Sequence, residues 1–122
     1  MRTFVETRVF TNRLPDFLDD LAFRRLQNEL GAYPQKGPVM PGCGGHHKIR
    51  VRDESRGKGK RGGARVVYLD IPEANRIHLI TIYGKDDQDD LTPDQKRLFA
   101  QLAQQIRAEE LAAIRRRGWR SV

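Results

Sequence analysis

Apolar and polar positions alternate at the start of the chain. Between Phe4 and Phe10, one face carries Val5, Thr7 and Val9, and the other Phe4, Glu6, Arg8 and Phe10, which predicts a strand. The period then changes. Leu14, Phe17, Leu18, Leu21, Leu26 and Leu30 recur at helical intervals, with Thr11 and Asn12 as candidate caps, Pro15 in the first turn and Gly31 as the stop. Asp16, Asp19 and Asp20 fall where the helix dipole favours carboxylates. Three prolines and four glycines between Tyr33 and Gly45 predict an irregular loop. Alternation returns from His47 to Arg52, with Lys48, Arg50 and Arg52 on one face and Ile49 and Val51 on the other. Arg56 to Gly63 reads as a glycine-rich hairpin tip, Arg65 to Ile71 as a strand, and Pro72 to Asn75 as a turn. Arg76 to Tyr83 is nearly all apolar, the pattern of a central strand covered on both faces. A final helix starts at Leu91-Thr92-Pro93-Asp94-Gln95, where Thr92 and Gln95 form a capping box and Pro93 fits the first helical position. Leu98, Phe99, Leu102, Ile106 and Ala113 mark its apolar stripe; it should run to about Arg117 and stop at Gly118.

The order strand, helix, three strands, helix predicts an α+β fold. Its sheet should be small, twisted and mainly antiparallel. The last three strands form a meander, and the first joins after a helical crossover. Helices should pack on one face, leaving a basic surface on the other. A chain of 122 residues fits one domain, here 1–117, with 118–122 as a tail.

Charge narrows the function. The formal net charge is +7, which favours an anionic partner: nucleic acid first, then an acidic protein or a membrane surface. Lys48, Arg50, Arg52, Arg56, Lys58, Lys60, Arg61 and Arg65 crowd one segment, opposed there by Asp53 and Glu54. Tyr68 and Tyr83 follow. Cations around a turn that lets backbone approach closely, with aromatic rings nearby, suit RNA. The single cysteine, Cys43, rules out an intramolecular disulfide and suits a reducing compartment. No run approaches the roughly 20 apolar residues of a membrane span, and MRTFVETRVF lacks a secretory signal's apolar stretch, so a cytoplasmic protein is expected.

The segments VMPGCGGHHKIRVR and GKGKRGGARVVYLDIPEANRIHLITIYGKDDQDDLT together resemble the RelE/ParE superfamily of bacterial toxins, with the HigB type as the closest branch. The likeness spans roughly Phe4 to Leu102 and is densest from Met40 to Thr92. It implies a RelE-like fold, a ribosome-dependent endoribonuclease that cuts translated mRNA, and a silencing cognate antitoxin, of helix-turn-helix type. Lys48, Arg50, Lys58, Lys60, Arg65, Tyr83 and Lys85 fall on the family's basic and aromatic positions. The chain departs in carrying His46-His47 before K-x-R, where a basic or aliphatic pair is usual, and in continuing into EELAAIRRRGWRSV.

RNA can be cleaved without metal or cofactor. The ribose 2′-OH attacks the adjacent phosphate and the 5′-oxygen leaves. The site needs a base, an acid, and cations for the phosphorane charge. Arg65 is the first candidate for the scissile phosphate, because guanidinium binds bidentately. Lys48 and Lys85 are candidates for acid–base and charge roles, with a lysine titrating usefully only where neighbouring cations depress its pKa. Tyr83 would stack on a base or orient the 2′-OH, and His47 would move protons. Arg50, Lys58, Lys60 and Arg61 would hold the RNA backbone. Tyr68 and His78 read as core residues. Cys43, His46 and His47 lie together, but no second cluster completes a tetrahedral zinc site. Two other classes stay open: a non-catalytic inhibitor of DNA gyrase on a ParE-type fold, and an RNA- or ribosome-binding module without chemistry.

Overall fold

The computed structural model describes residues 1–52, 63–85 and 90–120. Its elements are β1 (Thr3–Glu6), α1 (Arg8–Arg13), a 3-10 turn (Leu14–Asp16), α2 (Asp20–Ala32), β2 (His47–Val51), β3 (Ala64–Ile71), a second 3-10 turn (Pro72–Ala74), β4 (Arg76–Gly84) and α3 (Pro93–Arg120). Four strands form one mixed sheet in the order β1-β4-β3-β2. The meander β2-β3-β4 is antiparallel, and β1 adds to β4 in parallel. This is an α+β fold. No helix among the described residues is long and apolar enough to cross a membrane.

Helices cover both faces of the sheet, not one. Successive residues of a strand point to opposite faces. Ala64, Val66 and Tyr68 of β3 therefore join Ile49 of β2 and Ile77, Leu79 and Ile82 of β4 in a core closed by Phe10, Leu26 and Leu30 from α1 and α2. Val67, Leu69 and Ile71 face the other way, into a second core with Met40, Cys43, Ile80, Ala103 and Ile106 beneath α3. All eight residues of β3 are buried, so a bare basic face opposite the helices is excluded.

Leu79 and Ile82 share a face although strict alternation would separate them. A bulge resolves this. The pairing jumps from Val67↔Thr81 to Tyr68↔Leu79, so Ile80 is the extra residue and turns toward α3. The Thr7 hydroxyl donates to the Ile80 carbonyl at 2.6 Å, so the displaced carbonyl keeps a partner.

The first predicted strand is shorter than the alternation suggested. Thr7 has extended backbone and its Oγ1 accepts from the Phe10 N–H at 3.0 Å, which makes it an N-cap. A helix follows, and Phe10 is sealed in the core. The long helix expected from Leu14 begins instead at Asp20. Asp19 caps it by accepting from the Ala22 N–H at 2.8 Å, and Pro15 sits in the 3-10 turn before it. Gly31 does not end α2, which runs to Ala32.

The Thr92–Gln95 capping box forms in both directions, at 2.9 and 3.2 Å. Gly118 keeps a helical backbone and α3 passes through it, because a glycine stops a helix only when it takes the left-handed conformation of a cap. Of the predicted stripe, Leu98 is exposed, Ile106 is buried against the sheet, and Phe99 and Leu102 pack beside it; Ala103, outside that stripe, is buried with them.

Candidate functional site

Strand register decides which predicted residues meet. In antiparallel pairs, residues directly opposite point to the same face with Cβ atoms about 5 Å apart. Arg50 lies opposite Arg65, and Arg65 opposite Tyr83, so the three form one row across β2, β3 and β4. The next row on that face begins with Lys48, opposite Val67. Lys85, exposed, follows Gly84 at the same end of the sheet. Four of the predicted site residues are thus gathered at one end of the α3 face, with Lys85 just beyond the same end of β4. Lys58, Lys60 and Arg61, and the hairpin tip that carries them, lie outside the described residues.

The members differ in accessibility. Arg50 is exposed and Lys48 half-buried at the sheet edge. Tyr83 packs against the α3-side core. Arg65, expected as an open clamp, is 2% exposed and donates from a terminal nitrogen to the Gly63 carbonyl at 3.3 Å. Its position in a fully buried strand encloses it. A cation held this way projects its field through low-dielectric surroundings rather than gripping an anion from solvent.

His47 does not join them. It pairs with Tyr68, so its side chain lies on the α1–α2 face, 6% exposed. The ring stacks on Tyr68 at 5.1 Å between centroids, and Nδ1 lies 2.6 Å from the Gly37 carbonyl. The proton-transfer role expected from sequence is not carried forward, because a ring fixed on the opposite face cannot reach the cationic row. Tyr68 is a core residue, as its position suggested. Its hydroxyl donates to the Pro34 carbonyl and accepts from the Gly37 N–H, both at 2.9 Å, and burial pushes its pKa up. Tyr68→Phe should therefore cost about 1–3 kcal/mol, the usual result of leaving a buried backbone group unmatched. Chemical denaturation would show it as a lower midpoint at constant slope.

The glycine-rich GCGG segment serves helix packing. Gly42, Gly44 and Gly45 all have positive φ. A Cβ on Gly44 would lie 2.8 Å from the Ala100 Cα and 3.0 Å from the Ala103 Cβ, so α3 rests directly on this backbone. Arg107 donates to the Gly44 carbonyl at 2.6 Å, a contact the sequence did not signal. The same loop touches β2 through the Val39–His47 bridge and places Met40 and Cys43 in the second core.

Two histidines lie beneath α3. His46 is wholly enclosed. Its Nδ1 is 2.8 Å from the Cys43 carbonyl, its ring stands edge-on to Phe99, and its Nε2 has no hydrogen-bond partner among the described residues. His78 Nε2 is 3.2 Å from Glu110, which also accepts from Arg76 at 3.3 Å. Burial pushes both histidines below the ordinary value of 6.5; Glu110 opposes the shift at His78 without reversing it. The unfolded chain therefore takes up protons below pH 6.5 that the folded chain refuses. The two histidines' contribution is fully present well above pH 6.5 and should be lost below it, by up to about 1.4 kcal/mol per pH unit for each. Urea unfolding at pH 7.5 and 5.5 checks this. His46→Leu should flatten the dependence, and equal stability at both pH values would refute it.

Burial also pushes the Cys43 thiol up. Among the described residues, no group of three or more His, Cys, Asp or Glu side chains is placed to hold a metal. No family model matches the chain.

Proposed function

We propose that this chain is a ribosome-dependent endoribonuclease, the toxin of a type II toxin–antitoxin pair, on the HigB-like branch of the RelE/ParE superfamily. The row Arg50–Arg65–Tyr83, with Lys48 one row on, carries the reading. Residues 35 positions apart in sequence converge on one patch of one sheet face, with the cations and the aromatic ring that RNA cleavage needs. Arg50, Arg65, Tyr83 and Lys48 are among the residues that carry the family likeness, and their convergence supports the reading.

In this reading, Arg50 and Lys48 engage phosphates from the accessible edge, and Lys85 does so from the end of β4. The enclosed Arg65 charge stabilises the phosphorane from beneath, where a fixed cation needs no reorganisation as charge develops. Tyr83 stacks on the base beside the scissile bond or orients the 2′-OH. The 2′-oxygen bonds to phosphorus and yields its proton to a base. The P–O5′ bond breaks and the 5′-oxygen takes up a proton. Partners are translated mRNA on the ribosome and a cognate antitoxin, and no cofactor is required.

Primer extension on a defined mRNA, with and without translating ribosomes, tests this. Cuts that require ribosomes are expected. Cuts without them would make the chain a free ribonuclease. No cuts under either condition would overturn the enzymatic reading.

A further inference from the structure

A cavity of about 390 Å³ opens beside the cationic row, between the loop at residues 38–43 and the start of α3. That volume falls within the usual range of ligand clefts, ~300–1,000 Å³. Met40, Pro41 and Leu91 supply apolar walls, and Lys48, Lys96 and Asp90 supply charge. Lys48 belongs to the proposed RNA face, so cavity and row are continuous. The stem of Lys96 passes over Gly42, where a Cβ would sit 3.5 Å from its Cδ. Both ammonium groups act on the Cys43 thiol in the cavity wall, and both oppose the upward pull of burial on it. Two cations thus converge on a mostly apolar hollow that also contains one carboxylate.

Each part suits a different part of a nucleotide. Lysines flank phosphates as point charges. Apolar walls suit the face of a base. A carboxylate repels phosphate but accepts hydrogen bonds from the amino edge of a base, as acidic side chains do from cytosine N4. Guanine offers two parallel N–H donors, the best match to two carboxylate oxygens. Uracil flanks its single N–H with carbonyls that a carboxylate repels.

We infer that this cavity is a nucleobase subsite for RNA held on the cationic row, with Asp90 selecting amino-bearing bases, guanine above all, and Lys96 on an adjoining phosphate. The inference rests on RNA being the ligand of that row. Lys96 and Asp90 become specificity-determining residues that the sequence did not single out.

The chain has two methionines, and one of them, Met40, lines the cavity, so methyl-labelled methionine is a direct probe. Met1, whose side chain lies by Gly31 of α2, is the internal control. GMP, AMP, CMP, UMP and inorganic phosphate would each be titrated into the intact protein. The Met40 methyl should shift saturably with GMP while Met1 stays still. UMP should bind at least about 5-fold more weakly, the low end of what one bidentate pair discriminates. Asp90→Asn should erase that preference, and Lys96→Gln should weaken all four nucleotides alike. A Met40 signal indifferent to every nucleotide overturns the inference and leaves the hollow to a protein side chain. An equal response to inorganic phosphate, or a preference that survives Asp90→Asn, also overturns it. Primer extension separates the two readings. Cleavage with a silent Met40 removes the subsite alone, and a selective Met40 response without cleavage removes the ribonuclease alone.

Discussion

Gly44→Ala should destabilise the protein by about 2–5 kcal/mol. The backbone there has φ +71, where an L side chain costs ~1–2 kcal/mol. The new methyl would also meet the Ala100 Cα and the Ala103 Cβ at 2.8 and 3.0 Å. Both belong to α3, so relief requires moving a helix, and overpacking of this kind costs ~1–3 kcal/mol. Against a total stability of ~5–15 kcal/mol, the loss is large. Gly118→Ala is the matched control. It adds the same methyl where nothing among the described residues lies within 4 Å, inside a helix that favours alanine by ~0.8–1.0 kcal/mol, so it should stabilise. Urea midpoints of the two variants should move in opposite directions. An unchanged midpoint for Gly44→Ala would mean that α3 does not rest on this loop.

Lys48→Met should lower ribosome-dependent cleavage by about 10²- to 10³-fold, the usual cost of deleting one oriented charge-stabilising group. Arg50→Met should weaken RNA binding and flatten its salt dependence by about 0.7 in log–log slope, one single-stranded phosphate contact's worth. Arg50 is exposed, so its loss should change folding stability by no more than about 0.5 kcal/mol. That separation of activity from stability is the informative readout. Arg65→Lys and Tyr83→Phe complete the series by keeping charge or ring while removing the guanidinium fork or the hydroxyl. If all four variants cleave at the wild-type rate, the row is not the site.

Features set by neighbours in the chain were legible in advance. The Thr92–Gln95 box needs four residues, and the alternation of Lys48, Arg50 and Arg52 against Ile49 and Val51 needs five. The apolar run at β4 already implied cover on both faces, and the one-sided layer expected for the sheet ran against it. What stayed hidden depends on contacts distant in sequence. Thr7 fits an alternating strand equally well, and its capping role is fixed partly by Ile80, 73 positions away. The bulge at Ile80 leaves no mark in a run that is nearly all apolar. His47 and Lys48 are adjacent, yet strand geometry sends them to opposite faces, so nearness in sequence misled about the site. The burial of Arg65 follows from β3 being an interior strand, which becomes visible only when β2 and β4 flank it. The GCGG segment read as part of an irregular loop, and its packing against Ala100 and Ala103 is equally non-local.

β2 lies at the rim of the sheet. Among the described residues its outer side is covered only near His47, by the bridge from Val39. Among the described residues, Arg50 to Arg52 has no such bridge, and an uncovered sheet edge is where identical chains can pair. Arg50 and Arg52 stand on it, and like charges meeting across two copies repel. The arginine that serves ligand binding in our reading therefore also acts as a guard against self-association. In that reading, neutralising it, by substitution or by a saturating polyanion, would lift the guard and couple colloidal behaviour to ligand occupancy through one strand.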